Sequence, residues 1–145
     1  GDTCLCWGRH AWRVRLDGLD LLGRYAAIGI AQHLRRLQEV SFLDETFFGV
    51  WTFGNSLCYS AGLAWDGGLG PIRSGDVLDL VLDVERKSLE VIKLRDGKRV
   101  VFRSLPEMKE GWVPHFYLAN AENSITVQIL DPSQAGQPEL PQLVN

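Results

Sequence analysis

Residues 74–106, SGDVLDLVLDVERKSLEVIKLRDGKRVVFRSLP, alternate apolar and polar side chains through three runs, at 77–84, 88–94 and 99–105. Short charged breaks separate the runs, and the second break contains Asp96-Gly97. Alternation with a period of two residues predicts strands with one buried face, and an Asp-Gly break predicts a tight hairpin turn. Strands that pair with their sequence neighbours form antiparallel sheets. The stretch therefore predicts an all-β sandwich and argues against an α/β enzyme.

Strand-like runs recur along the rest of the chain, at residues 10–17, 25–32, 47–53, 57–60, 112–118 and 124–130. The run 25–32 is small and apolar, and Gly29 within it indicates the close approach of another backbone. The segment 33–45 breaks the alternation, and Leu34 and Leu37 are spaced to share one side of a short helix. Residues 61–73 are rich in glycine and predict a loop.

The length of 145 residues is enough for one domain with a substantial core. We assign the sandwich to residues 1–131. From there to residue 145 the alternation stops and proline and glutamine are frequent, so we expect 132–145 to form a poorly ordered tail. Trp12, Trp51 and Trp112 fall at inward positions of strand-like runs and are expected in the core.

The formal net charge is only −3, which does not favour a nucleic-acid partner, because such a partner requires a basic face. Arg13 and Arg15 are expected on solvated strand surface. No apolar run approaches the roughly 20 residues that span a bilayer, and the first residues lack the pattern of a signal peptide. We expect an intracellular (cytoplasmic) domain without a membrane partner, monomeric in isolation.

The three cysteines, Cys4, Cys6 and Cys58, form no pattern that predicts a disulfide framework. Cys4 and Cys6 lie two residues apart, a spacing that does not favour a bridge, so we expect reduced thiols. A zinc site that adds His10 would lack the usual Cys-x-x-Cys pair. No metal or other cofactor is expected.

Four segments, in order and at sensible spacing, resemble the SPRY domain family. They are Gly8-Arg9-His10-Ala11-Trp12, Ile28-Gly29-Ile30-Ala31, Gly49-Val50-Trp51 followed by Tyr59, and Gly75-Asp76 with the later Phe102-Arg103-Ser104-Leu105-Pro106. The resemblance spans about residues 4–130. It implies a concanavalin-like jelly roll of two antiparallel sheets that binds other proteins through loops at one end of the sandwich.

The His-Ala-Trp form of the first segment resembles SPRY domains of ubiquitin-ligase adaptors that carry an F-box or a SOCS box. The chain itself contains no such box. It also departs from the family pattern, since Arg13 stands where a Glu is usual and Asn120 stands where the SOCS-box members have a Trp. Their peptide specificity is therefore not transferred to this chain.

The expected peptide-binding residues are Arg9, Tyr59, Trp65, Asp66, Asn120, Glu122 and Asn123. The resemblance implies roles for Tyr59, which aligns with a pocket tyrosine, for Arg9 at the same sandwich end, and for the loop 119–123. Trp65 is a candidate because an aromatic side chain on a rigidly held loop is a common hot spot. Two alternatives stay open: Tyr59 packs in the core, and Trp65 folds back over the sandwich edge.

Catalysis is not expected, because no nucleophile elbow, metalloprotease motif or phosphate-binding loop is present. Two carboxylates facing each other across a groove would indicate a glycosidase. Asp76 is better explained by turn chemistry, and Asp79 is expected to face solvent. The sequence thus predicts a non-catalytic protein-interaction module that binds a short peptide. A carbohydrate-binding module is the alternative, because aromatic residues on sandwich edges also stack on sugars.

Overall fold

A computed structural model describes residues 5–18, 26–32, 46–118 and 124–138. Its strands are β1 (Arg9–Gly18), β2 (Ala26–Gln32), β3 (Phe48–Trp51), β4 (Cys58–Ser60), β5 (Leu63–Trp65), β6 (Val77–Asp83), β7 (Ser88–Lys93), β8 (Arg99–Phe102), β9 (Trp112–Leu118) and β10 (Ser124–Leu130). One turn of 3-10 helix follows at Pro132–Gln134. No helix in the described parts of the chain is long and apolar enough to cross a membrane.

The strands form two antiparallel five-stranded sheets, which confirms the predicted all-β sandwich. Sheet A has the order β5-β4-β3-β2-β9, and sheet B has the order β10-β1-β6-β7-β8. The opening stretch supplies β6, β7 and β8 as consecutive hairpins. Gly97 adopts a φ of 73°, the left-handed conformation that the Asp96-Gly97 turn requires.

Two sequence expectations concern the secondary structure of the segments 61–73 and 33–45. The segment 61–73 was expected to be a loop throughout, but Leu63–Trp65 pairs with β4 as a short edge strand. The pattern did not predict this strand because it is only three residues long and follows a glycine. The helix expected within 33–45 lies outside the described residues.

The core lies between the sheets and is filled by alternate residues of each strand. Trp12 and Trp112 are each 3% exposed and belong to it, as expected. The expectation for Trp51 was wrong. Because its neighbour Val50 points into the core, Trp51 lies on the outer face of sheet A and is only half-buried.

Gly29 and Gly49 face each other across β2 and β3. A Cβ at Gly29 would lie 2.0 Å from the Phe48 carbonyl oxygen, and one at Gly49 would lie 2.3 Å from that of Ile28. The close backbone approach that the sequence indicated at Gly29 is confirmed.

The outer face of sheet B carries a buried ion pair that the sequence did not predict. Arg13 Nε and Nη2 each donate to a carboxylate oxygen of Asp79 at 2.8 Å. Asp79 is fully buried and Arg13 is 8% exposed, so the expectation that both side chains face solvent was wrong. Arg15 is exposed, as expected.

Residues 131–138 cover this ion pair. The Asp79 carboxylate accepts a hydrogen bond from the Gly136 backbone N–H at 2.8 Å, and Arg13 Nη2 donates to the Gln137 carbonyl at 2.7 Å. Ala135 packs against Ala11, Val81 and Leu130. The first part of the C-terminal segment is therefore held on sheet B by the charges beneath it, while residues 139–145 lie outside the described residues.

The cysteines differ from one another. Cys6 is disulfide-bonded, so the expectation of a reduced thiol was wrong there. Cys58 is free and fully buried on β4. Burial raises the pKa of the Cys58 thiol to about 11, from an ordinary value of 9.0.

We expect Cys58 to resist alkylation in the native protein near neutral pH and to react once the chain is unfolded, because only the exposed thiolate is nucleophilic. The same pKa shift makes the free energy of unfolding fall as the pH rises from 9.0 to about 11. In that window the unfolded thiol ionises while the native thiol stays protonated. Urea titrations of the wild type and Cys58→Ala measure this slope. An identical pH dependence of both proteins would contradict the shift.

Candidate functional site

The outer face of sheet A presents aromatic side chains in two adjacent rows. Cα pairing places Tyr59, Gly49, Gly29 and His115 in one row across β4, β3, β2 and β9. The next row contains Trp51, Ala27 and Tyr117. Since the residues between these positions point into the core, the side chains of both rows share the outer face. We call Trp51, Tyr59, His115 and Tyr117 the aromatic face.

Gly29, Gly49 and Ala27 at the centre of the aromatic face are buried, and the fully buried Phe47 ring lies against Gly49. The four ring side chains around them are half-buried. The Trp51 and Tyr117 rings lie 6.3 Å apart at an interplanar angle of 30°. The His115 ring packs edge-on against Phe47 at 5.8 Å. Neighbouring rings therefore hold the rings of the aromatic face in place.

Two exposed apolar side chains border the aromatic face at the end of β3. Phe53 is 54% exposed and Leu57 is 38% exposed, in the turn between β3 and β4. Hydrogen bonds fix the base of this turn, from the Thr52 backbone N–H to the Ala26 carbonyl and from the Ala26 N–H to Thr52 Oγ1. Both apolar side chains are thus presented on a well-anchored turn.

Among the expected site residues that the structure describes, Tyr59 alone lies on the aromatic face. It is half-buried and lies on the outer side of β4, because its neighbour Cys58 points into the core. The alternative of a core tyrosine does not agree with this position. The phenol ring therefore remains accessible to a ligand.

Trp65 and Asp66 lie at the edge of sheet A. The Trp65 indole packs edge-on against Phe102 at 5.3 Å, and its N–H donates to Ser60 Oγ at 2.8 Å. These contacts agree with the alternative in which Trp65 folds back over the sandwich edge. Asp66 is exposed, and its carboxylate accepts a hydrogen bond from the Gly68 backbone N–H. Both residues thus have contacts that stabilise their own loop.

Lys93 fixes the path of the loop that follows Asp66. Its side chain is only 1% exposed, its ammonium group donates to the carbonyls of Leu69 and Pro71, and it lies 3.0 Å from the Asp96 carboxylate. A buried ammonium group is tolerated only with such partners. The loop is therefore tied to the hairpin between β7 and β8.

Arg9 lies at the other end of the sandwich. It pairs with Asp83 at the end of β6 and forms a long ion pair of 3.8 Å with that carboxylate. The loop after Asp66 instead packs near Lys98, beside the start of β6. Arg9 therefore lies apart from this loop. Its binding role, which the sequence placed at the same sandwich end as Tyr59, stays a prediction.

Trp7 accompanies Arg9 at that end and is 76% exposed. Asn120, Glu122 and Asn123 lie outside the described residues, between the last residue of β9 and the first of β10. Their binding role stays a prediction. The described residues contain no group of three or more side chains suited to hold a metal ion.

Five residues in or beside the aromatic face were missed from the sequence: Trp51, His115, Tyr117, Phe53 and Leu57. The available signal was the alternation itself. Because Cys58 and Val50 are inward, Tyr59 and Trp51 must be outward. Tyr117 follows from the register of β9 against β2, which the sequence alone does not provide.

The two antiparallel sheets form a β-sandwich, and solved structures show which kind of sandwich it is. The SPRY domain of human HERC1 matches with a TM-score of 0.71 at 14% identity, over 90% of this chain and 79% of that chain. The TRIM65 PSpry domain matches with a TM-score of 0.63 at 18% identity, over 89% and 66%. The chain therefore has the fold of a SPRY domain, as the four motifs predicted. No protein-family model and no curated protein matches the sequence.

Proposed function

We propose that this domain is a non-catalytic protein-interaction module that binds a short peptide segment of a partner on the aromatic face. The observation that carries the proposal is the placement of the half-buried Trp51, Tyr59 and Tyr117 rings on one outer face of sheet A. Such a group of rings offers an apolar contact surface to the side chains of a peptide. The likeness to SPRY domains supports the same class of function, since domains of this fold bind protein partners.

The chemistry of the face suits an extended peptide that carries an apolar anchor. Tyr and Trp offer large contact areas and lose little conformational entropy on binding, because they have only two side-chain torsions. Their rings already pack against neighbours, so little further ordering is required of the domain. Phe53 and Leu57 extend the apolar contact area beyond the aromatic face. Affinity would therefore come from apolar burial by rigid rings.

The wider role follows from the resemblance and is part of the proposal. A peptide-binding SPRY domain can serve as the substrate-recognition part of a larger, ubiquitin-ligase-like adaptor. We also propose an intracellular setting, where such adaptors act. Both proposals depend on the parent protein, whereas peptide binding is a property of the domain alone.

The test of peptide binding is a comparison of Tyr59→Ala with Trp7→Ala, which removes an exposed aromatic side chain outside the aromatic face. Partners captured from lysate by the wild type are mapped to a peptide, and its affinity is then measured by calorimetry. We expect Tyr59→Ala to weaken binding by more than about 1 kcal/mol, close to a tenfold loss, while Trp7→Ala leaves the affinity unchanged. An unchanged affinity in a folded Tyr59→Ala protein would contradict the site.

A carbohydrate-binding module is the second candidate, favoured by the same exposed rings, because aromatic faces also stack on sugars. Retention on a glycan array, competition by free saccharide and loss of both in Tyr59→Ala would identify a sugar ligand. The absence of glycan retention, together with a peptide that competes for the face, would support the interaction module.

A further inference from the structure

The strand β10 forms one edge of sheet B and exposes apolar side chains that face the inside of the sandwich. Among the described residues it pairs only with β1. Ile129 lies opposite Trp12 and Val127 lies opposite Val14, two core residues, so both side chains point inward. Ile129 is nevertheless 87% exposed and Val127 44% exposed. The described part of sheet A does not reach far enough to cover them.

The other three edges that the described strands form carry features that discourage pairing with another chain. The strand β5 has only three residues, and β8 has four and begins with Arg99, which is paired with Glu90. Pro114 interrupts β9, and proline cannot donate a backbone hydrogen bond. Short strands, charges and prolines are the usual protections of sheet edges. The seven residues of β10, SITVQIL, have none of them.

The sequence of β10 is complementary to itself in the antiparallel direction. With Val127 on a two-fold axis, Ile125 faces Ile129 of the second copy and Thr126 faces Gln128 of the second copy. All seven residues pair without opposed charges: the apolar side chains at 125, 127 and 129 lie opposite apolar ones, and Leu130 lies opposite Ser124 of the second copy. Shifting the register of the two β10 strands by one residue would place apolar side chains opposite polar ones. This symmetric match favours a second copy over an unrelated strand as the occupant.

We propose that two copies of this chain associate through antiparallel pairing of their β10 strands, with Val127 on the two-fold axis. The contact joins the two copies of sheet B into one continuous sheet and brings the exposed Val127 and Ile129 side chains of both copies together. The surface is separate from the aromatic face, so the proposal does not rest on the proposed function. If both hold, each dimer presents two aromatic faces and binds multivalent partners with avidity.

The test uses sedimentation velocity of the full 145-residue chain, titrated from micromolar to millimolar concentrations. We expect a reversible shift from the 16.2 kDa monomer to twice that mass. Val127→Glu and Val127→Lys should each weaken association more than about tenfold, because like charges would meet on the axis. An equimolar mixture of the two variants should associate again. This recovery distinguishes strand pairing from a general loss of apolar surface.

Two further variants keep the test decisive. Phe53→Glu introduces a charge at an equally exposed apolar position on the other sheet and should leave the association unchanged. Ile129→Ser alters the most exposed side chain of β10 and should weaken association even if a charge at residue 127 perturbs folding. A wild type that stays monomeric throughout would overturn the proposal. So would a dimer that persists in the folded Val127 variants, or a monomeric protein whose β10 binds a strand of another protein.

Discussion

We expect Asp79→Ala to lower the free energy of unfolding by about 3–5 kcal/mol, because the substitution leaves the Arg13 guanidinium buried without its counter-ion. The present geometry is close to ideal, with two hydrogen bonds of 2.8 Å between the guanidinium and the carboxylate. Asp79 has no exposure to solvent that would weaken the interaction. Its loss also removes the acceptor for the Gly136 backbone N–H.

The size of this effect should depend on burial, and the chain offers a matched control. Glu90 and Arg99 form an ion pair of the same 2.8 Å length on the exposed surface of β7 and β8. Glu90→Ala should cost less than about 1 kcal/mol, since water screens exposed pairs. Urea denaturation of both variants makes the comparison. Equal losses of unfolding free energy in Asp79→Ala and Glu90→Ala would show that burial does not set the strength of the Arg13–Asp79 pair.

A double substitution separates the effect of the unpaired charge on stability from the effect of the lost contacts. Replacing both partners, as Arg13→Met with Asp79→Leu, removes the unpaired charge and should recover much of the stability lost in Asp79→Ala. It also removes the hydrogen bonds that hold residues 136 and 137, so amide exchange in the 131–138 segment should rise in both proteins. A segment as well protected as in the wild type would contradict its attachment through this pair.

The elements that the sequence predicted well are those set by local alternation. The runs 77–84, 88–94 and 99–105 correspond to β6, β7 and β8. The strands β9 and β10 have the predicted bounds, 112–118 and 124–130. Alternation within a strand, however, does not reveal which face a partner element covers. Arg13 and Asp79 lie 66 residues apart, and they are buried because residues 131–138 close over them. No short-range pattern contains that information.

The candidate site shows the same limit. Tyr59 was found through a family motif, whereas Tyr117 joins it only through the pairing of β9 with β2. The position of Trp51 was misjudged because an aromatic residue in an apolar run predicts burial equally well on either face. Arg9 was assigned to the site by resemblance, and the register of β1 against β6 places it beside Asp83. Motifs identify strands, and register decides which side chains meet.

Gly29→Ala should be the most damaging substitution beneath the aromatic face. The added methyl group would lie 2.0 Å from the Phe48 carbonyl oxygen and 2.6 Å from the Gly49 Cα, so backbone atoms must move. Side chains can rotate to admit a methyl group, but paired strands in the middle of a sheet cannot separate without losing hydrogen bonds. We expect the free energy of unfolding to fall by more than about 3 kcal/mol, beyond the usual cost of overpacking.

Gly97→Ala is the matched control, because it makes the same chemical change for a different physical reason. No atom lies within 4 Å of the added methyl group at Gly97, but its φ of 73° is unfavourable for alanine. That conformational cost is about 1–2 kcal/mol. Thermal and urea unfolding of the two variants compare steric with conformational cost at a single methyl group. If Gly29→Ala lowered the free energy of unfolding no more than Gly97→Ala does, β2 and β3 would be able to separate. The backbone beneath the aromatic face would then be adaptable instead of fixed.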